Sequence, residues 1–189
     1  MLLSDRDILE ALDASDLLIE PLDRKQIQPS SVDVRLGASF RRYLKSDATV
    51  IDSEAPQALV TESFEVAAGD SLLLEPHELL LGCTMERVRL PNGIAGILEG
   101  KSSLGRLGIF MHTNAGLIDP GFEGTITLNL LNVAALPIRI RPGMRIGQLC
   151  LFRLSSDAER PYGSAGLNSH YQNQLGPTPS WGAEDVPAP

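Results

Sequence analysis

Two cysteines and three histidines in 189 residues are too few for a disulfide framework or a conventional zinc site. Cys83 and Cys150 lie in strand-like apolar surroundings and read as buried, reduced thiols, while His77, His112 and His170 are scattered. The H-x-E and P-C-x-x-C signature of zinc-dependent deaminases is missing, so any deamination by this chain would proceed without a metal at the base. No apolar run approaches the roughly 20 residues that span a bilayer. The opening MLLSDRD meets acidic residues too early for a signal peptide, and a cytoplasmic protein is expected. Cations are short as well: 16 Lys and Arg face 24 Asp and Glu, a net charge of −8. That balance argues against a surface built for nucleic acid, which needs a basic footprint. It leaves room for a small polyanion, which needs only a local basic pocket and commonly brings Mg²⁺ with it.

What is present fits one domain with an ordinary share of hydrophobic residues, 43%. Ser4 can cap a short helix, with Asp7 completing a capping box and Ile8, Leu9 and Leu12 forming the apolar face. Beyond it, VDVRL, SLLLEP, HELLLGCTMERVRL, GIAGILEG, TITLNLLNV, PIRIRP and RIGQLCLFRL read as strands. Turn signals such as Pro91-Asn92-Gly93 and Pro142-Gly143 separate them. No βα rhythm appears, so an all-β antiparallel barrel or jelly roll with a short N-terminal helix is predicted over residues 1–159. From about Ser155 the pattern gives way to Gly, Ser, Pro, Asn and Gln. Aromatics make up only 5% of the chain, yet Tyr162, Tyr171 and Trp181 fall in this tail of 160–189. The tyrosines favour a flap over bound ligand for 160–178, with disorder expected after Trp181.

Three further segments carry chemistry. EGKSSLGRLG (99–108) gathers Lys101, Ser102, Ser103 and Arg106, whose hydroxyls, backbone N–H groups and guanidinium suit phosphate oxygens. MRIGQL (144–149) holds a lone amide, Gln148, within an apolar strand. GLIDPGFEG places Asp119 before the turn signal Pro120-Gly121, where it can cap the turn or hold a water for attack. In the following strand, Ile126, Leu128 and Leu130 lie on one face, and Thr127 and Asn129 on the other.

Together with SSVDVRLG (30–37) and PYGSAGLNSHYQNQLGPTPS (161–180), these segments resemble the dCTP deaminase and trimeric dUTP pyrophosphatase superfamily in five ordered motifs. The resemblance implies a distorted β jelly roll (the dUTPase type) in a homotrimer with active sites shared between subunits. It implies that Lys101, Ser102, Ser103, Leu104, Gly105 and Arg106, with Gln148, hold a deoxyuridine or deoxycytidine triphosphate, some of them across a subunit boundary. Mg²⁺ would be held through the triphosphate and by no protein ligand. Asp119 would contact the deoxyribose 3′-OH and orient a water. Phe122, where the pyrophosphatases usually carry Tyr, would pack on the sugar and exclude a 2′-OH. Asn114, Thr127, Leu128 and Asn129, with Tyr162, His170 and Gln174 of the tail, complete the implied substrate-binding set.

Three positions depart from the deaminase branch. That branch reads ITLEL where this chain has ITLNL, and its Glu shuttles protons. The amide of Asn129 cannot cycle between acid and base, and losing such a group costs about 10²–10⁴-fold. His170 stands where the deaminase tail has Lys, and Asn114 where it has Thr. The retained Lys101, Ser102, Arg106, Asp119 and Gln148 serve phosphate binding and water attack. The expectation is therefore a dUTP diphosphatase that forms dUMP and diphosphate, with deamination lost through Asn129. The alternatives are a dCTP deaminase, of the bifunctional dUMP-forming kind, and a non-catalytic nucleotide-binding regulator. Depending on how its amide is turned, Asn129 suits uracil O4 and N3–H or the inverse pattern of cytosine.

Overall fold

The computed structural model describes residues 1–14, 17–44, 50–51, 60–111 and 116–180. Asn114 and everything from Trp181 onward, including the disorder expected there, lie outside the described residues. The chain opens with helix α1 (Asp5–Asp13) and then strands β1 (Leu18–Glu20), β2 (Ile27–Gln28), β3 (Ser31–Arg35), β4 (Ser39–Tyr43) and β5 (Thr61–Glu65). Strands β6 (Leu72–Leu74), β7 (Leu79–Arg89) and β8 (Ile94–Gly100) lead to a single helical turn, α2 (Ser102–Gly105). The remaining strands are β9 (Ile109–Met111), β10 (Leu117–Ile118), β11 (Glu123–Asn132), β12 (Ile138–Ile140) and β13 (Arg145–Arg153).

All pairings are antiparallel. One sheet runs β5-β4-β7-β11-β9 with β1 also on β7; a second runs β10-β8-β13-β3-β2; β12 and β6 form a ribbon. The predicted jelly roll is what the residues build, because each long strand has one apolar face to cover. In β11 burial alternates strictly, with Gly124, Ile126, Leu128, Leu130 and Asn132 inside and Thr125, Thr127 and Asn129 on the open face. Val32 and Val34 of β3 and Leu149 and Leu151 of β13 supply the facing side of one core.

The predicted helix start also holds. Ser4 accepts from the Asp7 N–H at 3.3 Å, the Asp7 carboxylate accepts from the Ser4 N–H at 3.1 Å, and Ile8 is fully buried beneath. The Ser4 hydroxyl, which donates to the carboxylate at 2.8 Å, and then the Ser4 N–H hold the Asp7 carboxyl below its ordinary range. Both cysteines are free, but only Cys83 is buried; Cys150, expected to match it, is half-buried because it lies on the face of β13 opposite Leu149 and Leu151. Strands β4 and β5 are not evident in the sequence. SFRRY and TESFE have no clean alternation, and what joins them is Phe40 stacked on Phe64 at 5.7 Å.

Candidate active site

A cavity of about 450 Å³ opens between β11, the end of β10 and the tail. Six residues singled out from the sequence line it: Asp119, Phe122, Thr127, Asn129, Tyr162 and Gln174. Asp119 reaches it through a tight turn. The Phe122 N–H donates to the Asp119 carbonyl at 3.2 Å, Pro120 follows Asp119, and Gly121 takes φ +84°. Pro and Gly at the two central positions are the chemistry of a type II turn. The Asp119 side chain is exposed to the cavity, and its carboxylate meets no donor or cation among the described residues.

Strand β11 supplies the amide and hydroxyl. A bulge between Thr125 and Thr127 breaks the ladder to β7, and the Ile126 N–H donates instead to the Thr84 hydroxyl at 2.9 Å. Two asparagines on this strand contrast. Asn132 is fully buried, and its amide is consumed by the carbonyls of Leu74 and Leu136 and the N–H of Ala134. Asn129 is half-exposed on the cavity wall, and its amide makes no hydrogen bond among the described residues. Leu128, expected in the substrate-binding set, has its side chain fully buried on the opposite face, because neighbours on a strand point to opposite sides.

The tail lies along β11. Its Tyr162 N–H donates to the Pro120 carbonyl at 2.7 Å, the Gln172 amide donates to Gly121, and the Asn173 N–H donates to Glu123. Gln174 is fixed on both sides. Its carbonyl accepts from the Thr125 N–H at 3.0 Å, its side-chain NH₂ donates to the Thr125 carbonyl at 2.8 Å, and its side-chain oxygen accepts from Thr178 at 2.8 Å. A Cβ at Gly121 would stand 2.6 Å from that of Pro161, so this approach requires glycine on both conformational and steric grounds. Tyr162 closes the apolar side, its ring 5.9 Å from that of Phe122. His170 does not line the cavity; it meets Tyr171 edge-on at 6.2 Å.

The expected phosphate-binding residues lie elsewhere. Lys101, Ser102, Ser103, Leu104, Gly105, Arg106 and Gln148 do not line the cavity. The segment expected as a loop is the helical turn α2, with Lys101 at its N-cap. The Leu104 side chain is partly buried and packs against the core, while Ser102, Ser103 and Arg106 are exposed. The Lys101 ammonium donates to Asp33 at 2.7 Å, and Gln148 accepts from the Ser31 hydroxyl at 3.3 Å. Among the described residues no cluster of three or more His, Cys, Asp or Glu can hold a metal ion, and no helix is long and apolar enough to cross a membrane.

Tyr43, Leu79, Leu81, Tyr171 and Thr178 also line the cavity and were not evident as site residues. Tyr171 had a signal, as one of few aromatics in a polar tail. Leu79 and Leu81 read as ordinary strand positions, and only the pairing of Asn129 with Leu81 brings them here.

Comparison with known proteins bears on what this site does. Residues 2–154 match the model of the dCTP deaminase-like family. The chain is 55% identical over 180 residues to the dCTP deaminase, dUMP-forming, of Bifidobacterium longum (strain DJO10A), covering 95% of this chain and 93% of that one. It is 56% identical over 189 residues to the protein of the same name from Nocardia farcinica (strain IFM 10152), covering 100% and 95%. The crystal structure of the 2′-deoxycytidine 5′-triphosphate deaminase from Agrobacterium tumefaciens superposes with a TM-score of 0.61 at 25% identity, over 79% of this chain and 47% of that one. These relatives overturn the expectation of dUTP hydrolysis as the main activity. Identity over nearly the whole length outweighs the three departures, Asn129 chief among them with His170 and Asn114, on which that expectation rested. The chain belongs to the dCTP deaminase-like family.

Proposed function

We propose that this protein converts dCTP to dUMP. One water adds at C4 of cytosine and ammonia departs; a second attacks the α-phosphorus and pyrophosphate departs. The observation that carries this reading is the unspent amide of Asn129 on the wall of the cavity that also holds Asp119. Turned one way, that amide accepts from the cytosine amino group and donates to N3, the same paired pattern by which Asn reads adenine. A hydrogen bond donated to N3 also draws electron density from C4, where water must add. The amide itself cannot carry a proton through the reaction. Asp119 is the one carboxylate among the described cavity residues. It is therefore assigned the proton released by the water at C4, which it returns to the departing ammonia, and then the proton released by the water at phosphorus, directly or through one water. Phe122 and Tyr162 form an apolar wall for the sugar that leaves no room for a 2′-OH.

Among the described residues no lysine or arginine lines the cavity, so a triphosphate placed there finds no counter-charge from them. Lys101 and Arg106 supply it when a second copy presents its α2 turn. This is the physical case for a homotrimer with shared sites, with residues 160–178 as the lid of each. Mg²⁺ then rides on the phosphate oxygens, and no step here passes through an ion held by the protein. Two free thiols suit a cytoplasmic setting.

Incubation with dCTP and Mg²⁺ tests the reading. One ammonia and one pyrophosphate per dUMP are expected, and absence of ammonia overturns it. Mixing inactive Asp119→Asn and Lys101→Ala proteins should restore part of the activity through mixed sites. Strictly additive, inactive mixtures would dismiss the shared site.

A further inference from the structure

Among the described residues Asp33 is, with Glu86, one of two carboxylates buried in the interior outside the cavity, and its side chain is only 1% exposed. It interrupts an apolar strand: Val32 and Val34 on either side point into the core, and Asp33 points the other way. In register it stands opposite Gln148 of β13, so the two side chains share one face of the second sheet. Two cations meet this one carboxylate. The Lys101 ammonium lies 2.7 Å from Oδ1 and the Arg145 guanidinium 3.1 Å from Oδ2. The contact to Arg145 is an ion pair without hydrogen-bond geometry, and Oδ2 accepts no hydrogen bond. Arg145 is therefore tethered and still half-exposed, at 53%, with donors to spare.

A buried acid in a strand needs a reason, since an apolar residue there would avoid the cost of burying charge. Its neighbours supply one. We propose that Asp33 is a positioning residue that holds Lys101 and Arg145 as a paired cationic grip beside Gln148, and that Arg145 is a further triphosphate-binding residue. Two positive charges against one negative leave an excess that phosphate can meet, with both heads fixed before it arrives. Glu99, in register on the other side of Gln148, is exposed to solvent. The inference rests on the phosphate role given to Lys101 above.

Charge and position predict opposite signs for one substitution. Asp33→Asn removes a negative charge near the phosphates, which by charge alone tightens binding. If Asp33 positions the grip, the variant binds inorganic tripolyphosphate more weakly, and KM for dCTP rises about tenfold or more while kcat changes less, as loss of a charge-assisted hydrogen bond implies. Asp33→Glu keeps the charge, misplaces it, and should not rescue. Arg145→Ala, at an exposed position that tolerates truncation, should weaken tripolyphosphate binding by a similar factor even if the Asp33 variants fold poorly. Unchanged or tighter binding in Asp33→Asn, or unchanged binding in Arg145→Ala, overturns the proposal. Lys101→Ala separates the two layers: if it too leaves tripolyphosphate binding unchanged, the phosphate reading of this face fails along with the proposal. If Lys101→Ala weakens binding and the other variants do not, only the present inference falls.

Discussion

The cavity under the tail and the cationic face of the second sheet, to which the proposed reaction gives separate tasks, are built differently. Among the described residues the cavity has a carboxylate and an amide with no partners, and no cation; its roof is held by individual hydrogen bonds from the tail to β11. The face around Lys101 has its charges already paired, on strands locked by continuous ladders between β3, β13 and β8. In the proposed reaction, the groups that meet the base and the attacking water are left free, and the groups that only hold charge are tied down.

The largest break in this comparison is expected on the cavity side. Asp119→Asn keeps the shape of the turn, since the Asp119 backbone makes its closing bond. Release of ammonia and of pyrophosphate from dCTP should both fall about 10²–10⁴-fold, with the melting temperature unchanged. Ammonia release that persists while pyrophosphate release stops would divide the two steps between different groups. A chain ending near Ser155 tests the roof. It removes Tyr162, Gln174 and every tail contact with β11, while the buried core clusters within 3–151. A folded protein is expected, with turnover lower by about 10²-fold, the cost of a misplaced or hydrated site. Native turnover after truncation would make the tail passive.

Legibility followed the same division. The alternating strands and the capping box were readable because each rests on a local period or a fixed spacing. The two faces of β11 were readable for that reason, which leaves only the backbone of Leu128 to face the cavity side of the strand. Asp33 and Arg145 escaped notice since their meaning lies in cross-strand register, which no single segment carries. A lone acid between Val32 and Val34 was nevertheless a signal. The reaction was the least legible feature, because differences at three positions, Asn129 above all, were set against a likeness spread over the whole chain.

A finer comparison sets charged against neutral recognition. Arg106→Ala should weaken triphosphate binding by about 1.5–3 kcal/mol, the range for hydrogen bonds to charged groups. Asn129→Ala should cost only about 0.5–1.5 kcal/mol, the range for neutral ones, and should act on nucleotides while leaving tripolyphosphate binding untouched. Calorimetric titration with dCTP and with tripolyphosphate reads both. An Asn129→Ala protein that loses tripolyphosphate binding would place the base pocket and the grip in one site of one chain.

The smallest effect uses the thiols as reporters, one on each sheet. Cys83 of β7 is buried, and desolvation pushes its thiol up to about 11 from an ordinary 9.0. Cys150 of β13 is raised too, chiefly by desolvation, with Glu99 adding repulsion, but it is only half-buried. Since the thiolate is the reactive form, an alkylating reagent at neutral pH should label Cys150 first and spare Cys83 until the chain unfolds. Because folding raises the Cys83 value, the unfolded chain releases that proton first. The thiol's contribution to stability is thus complete below about pH 9 and is lost as pH rises through about 11. Melting measured across that window should fall more steeply in the native protein than in Cys83→Ala, after the constant cost of the smaller side chain is subtracted. Parallel slopes would mean that Cys83 is hydrated in solution, and that the sheet beneath the cavity is more open than its burial indicates.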